Sequence, residues 1–200
     1  MSIKKYYNLA KFKLFPIFRS ITGKGVRKTL KIIKQELPIV KIKSIRCGTR
    51  VFDWKIPPEW NVKKAYVLDK NNNKILDFKK NNLHLVHYSI PIDKELKKKE
   101  LLNHLQTNKK TPDAIPYVTS YYNKNWGFCC SYNQKEKIKN TYKPDDTFKI
   151  VIDSSFKKWG VLNYAEAIIP GKSKQEILIS TYICHPSMAN NELSGPIVSM

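Results

Sequence analysis

Glu176-Ile177-Leu178-Ile179-Ser180-Thr181-Tyr182-Ile183 runs directly into Cys184-His185-Pro186. The middle of this run is almost continuously apolar. That pattern suits a strand covered on both faces, and it points to an α/β sheet. Ligands in such sheets gather at the carboxyl ends of the strands. His185 stands at that end, where a ring nitrogen can face a metal while the strand fixes the backbone. Six residues on, Asn191 and Glu192 offer oxygen donors from a loop. Ser194-Gly195 then begins a helix, whose N-terminus favours nearby negative charge. His185, Asn191 and Glu192 are therefore the candidate metal ligands. A metal site takes three or four donors, so these would form part of one; the alternative on the residues alone is a hydrogen-bonded His at the core or its rim.

Upstream, Phe148–Asp153 and Gly160–Ile169 carry strand-like apolar runs. Gly23 to Leu37 is predicted to be a helix, because Val26, Leu30, Ile33 and Leu37 form one stripe. Thr22 is its expected N-cap, and Pro38 ends it. From Val40 to Ile45 the period becomes two, predicting a half-exposed strand. Val51–Ile56 is read as a further strand. Ala65–Asp69 and Lys74–Phe78 flank Lys70-Asn71-Asn72-Asn73, a hairpin signature. Leu83–Ile90 is another strand candidate. Short helices are expected over Glu95–Leu105 and from Asn133 to about Asn140. These readings divide the chain into a helical part at residues 1–45, a small β-domain at 46–120, and the start of an α/β core at 121–200. The chain stops at Met200 within a predicted helix, as a fragment of a longer protein would.

The net charge is +21, carried by 33 Lys and 4 Arg spread along the chain. Phosphate and base recognition favours the planar fork of Arg, so this make-up argues against a nucleic-acid partner. Weak attraction to acidic surfaces is still expected. Hydrophobic residues make up 42% of the sequence and aromatics 12%, which describes a folded chain. No run approaches the ~20 apolar residues that cross a bilayer. Cys47, Cys129, Cys130 and Cys184 fit neither a disulfide framework nor a paired zinc motif. Reduced thiols without an export signal point to the cytoplasm. His84 and His87, three apart, would face opposite sides of a strand and share no metal.

The run Ser180 to Pro196 resembles the signature of a bacterial aminopeptidase-like family, known through the DUF4910 and DUF2172 domains and related to zinc-dependent M28 peptidases. Arg19-Ser20-Ile21-Thr22-Gly23, Val51-Phe52-Asp53-Trp54, Pro58-Glu59-Trp60, Asn82-Leu83-His84, Ile115–Tyr122 and Trp126-Gly127-Phe128-Cys129 are similar to that family as well. The resemblance implies a partial M28-like peptidase domain with a mixed sheet, flanking helices and an inserted small β-domain. A winged helix would follow beyond residue 200. It implies zinc as cofactor, a small peptide-, amide- or sugar-like substrate, and a link to surface-polysaccharide biosynthesis. His185 takes the place of a zinc-binding His. Asn191 takes the place of an Asp that bridges two zinc ions, and a neutral carboxamide bridges two dications poorly. Glu192 is the neighbouring source of charge. The general-base Glu of the M28 pattern falls outside this chain, so the chain alone is expected to be inactive. The alternative is a non-catalytic binding protein on a degenerate peptidase fold.

Overall fold

The computed structural model describes residues 2–200. In chain order it contains α1 (Ile3–Asn8), a π-helical segment (Leu9–Leu14), α2 (Lys24–Glu36), β1 (Lys41–Arg46), β2 (Arg50–Val51) and β3 (Trp54–Lys55). Then come β4 (Glu59–Leu68), β5 (Lys74–Asp77), β6 (Ile92–Lys97), α3 (Lys98–Asn103), β7 (Leu105–Gln106) and β8 (Phe128–Cys129). The last elements are α4 (Tyr132–Thr141), β9 (Thr147–Lys157), β10 (Val161–Glu166) and α5 (Ser194–Ser199). The architecture is mixed α/β with small sheets. The chain forms two compact units: one runs up to Glu59 and resumes at Lys157, and the other is Trp60–Phe156. The bounds differ from the β-domain expected over 46–120: residues 46–59 fall in the first unit, and the second runs on to Phe156, with β6 pairing with the later strand β9.

In the first unit, α2 buries Val26, Leu30 and Ile33 of the stripe read from the sequence, together with Thr29, while Leu37 is its half-buried C-cap. Its N-cap is Gly23 at φ 99, one residue later than expected, and Thr22 is buried. A left-handed backbone at that point favours glycine over the predicted threonine. Strand β1 pairs antiparallel with β10, from Lys41 opposite Glu166 to Arg46 opposite Val161. Arg27 on α2 grips the buried Glu59 carboxylate with two bonds, Nη1 to Oε2 at 2.8 Å and Nη2 to Oε1 at 2.6 Å. Val161 N also donates to Glu59 Oε2 at 3.3 Å. Gly160 is required beside this carboxylate, because an added Cβ would lie 2.2 Å from Glu59 Cβ.

The Trp60–Phe156 unit holds a four-stranded sheet in the order β5-β4-β9-β6. Its core includes Trp60, Ala65, Val67, Leu76, Phe148, Ile150 and Ile152. Ser89 O accepts from Trp60 Nε1 at 3.1 Å and from Ser154 Oγ at 2.8 Å, so the buried indole N–H is satisfied. The predicted β4–β5 hairpin forms. Asp69 caps its turn, accepting from Asn71 N at 2.9 Å and Asn73 N at 2.8 Å, and Asn72 takes φ 62. Ser131 and Gln134 make a reciprocal capping box on α4.

Three expected strands are corrected. Val51–Ile56 is a two-residue hairpin, β2–β3, turning at Phe52-Asp53. Leu83–Ile90 is irregular after a 3-10 turn at Asn82–His84, with isolated bridges at Leu85 and His87. Tyr88 at φ 62 breaks the alternation that the sequence suggests. Glu176–Ile183 is extended but forms no strand among the described residues, and Ile177 and Leu178 are 93% and 89% exposed. An apolar run becomes a buried strand only with neighbours on its edges and a covering layer. The described residues supply neither. The helix predicted over Glu95–Leu105 is confined to α3, because Ile92–Lys97 pairs with β9 instead.

Two predictions rest on this packing. Arg27→Met leaves a buried carboxylate without its cation and should cost about 3–5 kcal/mol in chemical denaturation. Glu59→Gln should cost less, because the Arg27 side chain is 30% exposed and can rehydrate. Burial opposes ionisation of Asp69, but hydrogen bonds from Asn73, Tyr142 and Asn71 hold its carboxyl below the usual range. A lowered folded-state pKa adds stability that is present above the unfolded value, ~3.9, and lost as pH falls through the folded one. Asp69→Asn should therefore lower stability at neutral pH and flatten the loss on acidification below about pH 4, as read from melting curves.

Candidate metal centre

The site is built where the exposed run 176–183 turns into the loop before α5. Arg19, fully buried, fixes that turn: Nη1 donates to Leu14 O at 2.6 Å and Nε to His185 O at 3.0 Å. Its Nη2 is buried and has no hydrogen-bond partner among the described residues. Burial pulls the Arg19 pKa down to about 10, against the pull of Glu192 and Cys184, so it stays a cation at neutral pH. Ser187 takes φ 53 just after Pro186, bending the chain back. Leu193 anchors the far side of the loop in a cluster with Leu9, Leu14 and Ile17. Leu193 N and Ser194 N both donate to Ala189 O, at 2.9 and 3.0 Å. Gly195 permits the close approach of α5 to the strand-like run, since a Cβ there would lie 2.0 Å from Thr181 Oγ1.

This frame turns Glu192 inward, where it is fully buried. Its carboxylate makes an ion pair with His185 Nδ1. Cys184 Sγ lies 3.9 Å from His185 Nε2 on the other side of the ring. Cys184, His185 and Glu192 each offer a donor atom, and these atoms lie within 4.8 Å of one another. The contacts with Cys184 and then Glu192 push the His185 pKa up to about 10. The Tyr182 ring meets the imidazole edge-on at 6.3 Å between centroids.

The structure thus brings together His185 and Glu192 of the three sequence candidates. Asn191 lies exposed in the same turn. Cys184 joins the cluster although sequence reasoning treated it as one more reduced thiol. Its place directly before His185 at the end of an apolar run was the available signal. Arg19 lies within the family-like segment Arg19–Gly23. Nothing in its local sequence says that it reaches a residue 166 positions away.

The other weighed residues are structural. His84 Nδ1 bonds Cys129 O at 2.8 Å, and burial lowers its pKa. His87 is buried between Trp60 and Tyr117, with ring centroids at 5.4 and 4.8 Å. Cys129 and Cys130 are buried, and burial raises them to about 12 and about 11, which makes them inert thiols. No described helix is long and apolar enough to cross a membrane.

The chain is 48% identical over 189 residues to a Clostridium acetobutylicum protein named "Putative polysaccharide biosynthesis protein with aminopeptidase-like domain", an alignment covering 94% of this chain and 42% of that one. A crystal structure from the same organism, of a "putative peptidase", matches with a TM-score of 0.89 at 47% identity, over 98% of this chain and 44% of that chain. The chain therefore spans less than half the length of these relatives. The profile of a family described as a "Domain of unknown function (DUF4910)" matches residues 7–200. With the profile covering nearly the whole chain, this protein belongs to the DUF4910 family.

Proposed function

We propose that the protein acts as a metal-dependent, aminopeptidase-like hydrolase of the cytoplasm, with zinc as its metal, in surface-polysaccharide biosynthesis. The observation that carries this reading is Glu192. A fully buried carboxylate is costly to keep without a counter-charge, and here the contacting group is an imidazole, itself a metal-binding side chain. The imidazole of His185 and the thiol of Cys184 stand within ligand reach of the same point. Sulfur, imidazole nitrogen and carboxylate oxygen are a donor set that zinc accepts, with a fourth position left for water or substrate. Bound there, zinc would polarise a substrate carbonyl and lower the pKa of a coordinated water. The His185–Glu192 ion pair holds the place, and metal binding would displace the imidazole proton. Arg19 positions the His185 backbone and balances buried negative charge beside it.

An M28-like ancestry would suit this arrangement, with the small β-domain as an insert and further ligands and the general base supplied by the part of the relatives that this chain does not span. The substrate class is a small peptide, amide or amino-sugar derivative, in keeping with the names of the relatives. One feature favours a second reading, a non-catalytic binding protein: in the M28-like reading Asn191 would stand where a bridging carboxylate is expected, and it lies exposed.

Metal content of the full-length protein separates the two. The hydrolase reading expects about one zinc per chain, with affinity lowered at least about 100-fold in His185→Ala and in Glu192→Gln. Asn191→Ala should leave zinc content unchanged. A wild-type protein that purifies and dialyses without bound metal, and takes up none on titration, would leave the binding-protein reading.

A further inference from the structure

The four thiols of the chain differ sharply in their surroundings. Cys129 and Cys130 are buried, and burial pushes both far above the range in which a thiol reacts. Cys47 is half-buried, and burial raises its thiol above the ordinary value. Cys184, also half-buried, is the thiol that belongs to a cluster of potential metal ligands among the described residues, with His185 and Glu192. Its sulfur lies 3.9 Å from His185 Nε2, and the buried Arg19 guanidinium is electrostatically coupled to it. Reactive cysteines sit in partly open, electropositive surroundings of this kind.

We propose that Cys184 is a site of reversible oxidation by hydrogen peroxide, and that its oxidation state decides whether the centre keeps its metal. The proposal rests on the metal-dependent reading above, in which Cys184 supplies the sulfur donor. A thiol that coordinates a metal is deprotonated, and the thiolate is both the ligand and the nucleophile. The Cys184 sulfur attacks one oxygen of the peroxide. The O–O bond breaks as an S–O bond forms, and the departing hydroxide takes a proton to become water. Sulfur loses the electron pair that the peroxide gains. The product is a sulfenic acid, the first and reversible stage of thiol oxidation. It is a neutral and weaker donor, so the cluster is left with the imidazole of His185 and the carboxylate of Glu192.

Access does not depend on how much of the surrounding surface is open. Peroxide is little larger than water, and the centre leaves a position for water or substrate. No second thiol belongs to the cluster among the described residues, so the return step falls to a small-molecule thiol. One such thiol displaces water to form a mixed disulfide with Cys184. A second attacks that disulfide, frees the Cys184 thiol and leaves as the oxidised pair.

Zinc release from the full-length, zinc-loaded protein tests this, followed with a chromogenic chelator against a peroxide-free control. Hydrogen peroxide at about tenfold excess should release about one zinc per chain, and a thiol reductant should restore zinc uptake. A dimedone-type trap for sulfenic acid, with peptide mass mapping, should place the adduct on Cys184. Cys47→Ser should release zinc as wild type does. Cys184→Ser, loaded at a saturating zinc concentration, should release it at least about tenfold more slowly. The trap reads the site in wild type, so a Cys184→Ser protein that fails to load still leaves a decisive measurement. The inference fails if loaded wild type keeps its zinc under peroxide, if the adduct falls on another cysteine, or if Cys184→Ser releases zinc at the wild-type rate. A wild type that takes up no zinc before oxidation is a separate outcome, which overturns the metal-dependent reading and this inference with it.

Discussion

A buried guanidinium holds the candidate centre together. Arg19 reaches from the segment after the π-helical stretch to the carbonyl of His185, and its other bond ties it to Leu14. Arginine suits this role because it keeps its charge when buried and offers several donors in a fixed plane. Its cost is desolvation, which the neighbouring Glu192 and Cys184 partly offset. Without this tie, the loop from His185 to Leu193 would hang between an exposed run and a single hydrophobic anchor.

The rest of the site follows from that tie and from close approaches that only glycine allows. Gly195 lets α5 meet Thr181, and Leu193 then packs among Leu9, Leu14 and Ile17. Glu192, one residue before this anchor, is carried inward with it. The carboxylate and the imidazole of His185 are thus brought into contact by packing. The same logic recurs at Arg27 and Glu59, where Gly160 makes room for a second buried carboxylate. There the carboxylate is fully gripped by a cation and hydrogen-bonded. Glu192 differs in its partner: it is buried at least as deeply, and it faces an imidazole with a thiol nearby.

The distribution of charge also divides by residue type. Two of the four arginines are placed in bonded networks inside the first unit, while most lysines are exposed. The basic character of this protein is therefore a property of a lysine surface. Such a surface attracts acidic partners broadly and recognises few of them by geometry.

Local periodicity determined much of the fold from sequence alone. Helix α2, strand β1, the Asn-rich hairpin turn and strands β9 and β10 depend on neighbours a few residues apart, and each formed near where it was read, with β9 running on to Lys157 and β10 ending at Glu166. The His185–Glu192 part of the site was legible for the same reason, through a motif of contiguous residues. What needed tertiary structure were the contacts between distant residues. Cys184 joins the site because Arg19 and Gly195 shape the loop around it. Tyr88 interrupts an apparent strand because its backbone turns left-handed against buried aromatics. Residues 176–183 have the composition of a central strand, yet a strand is a relation between chains of backbone, and composition reports only how much apolar surface a segment needs to bury. Which partner buries it is decided by pairing, and pairing is written in no single stretch of sequence.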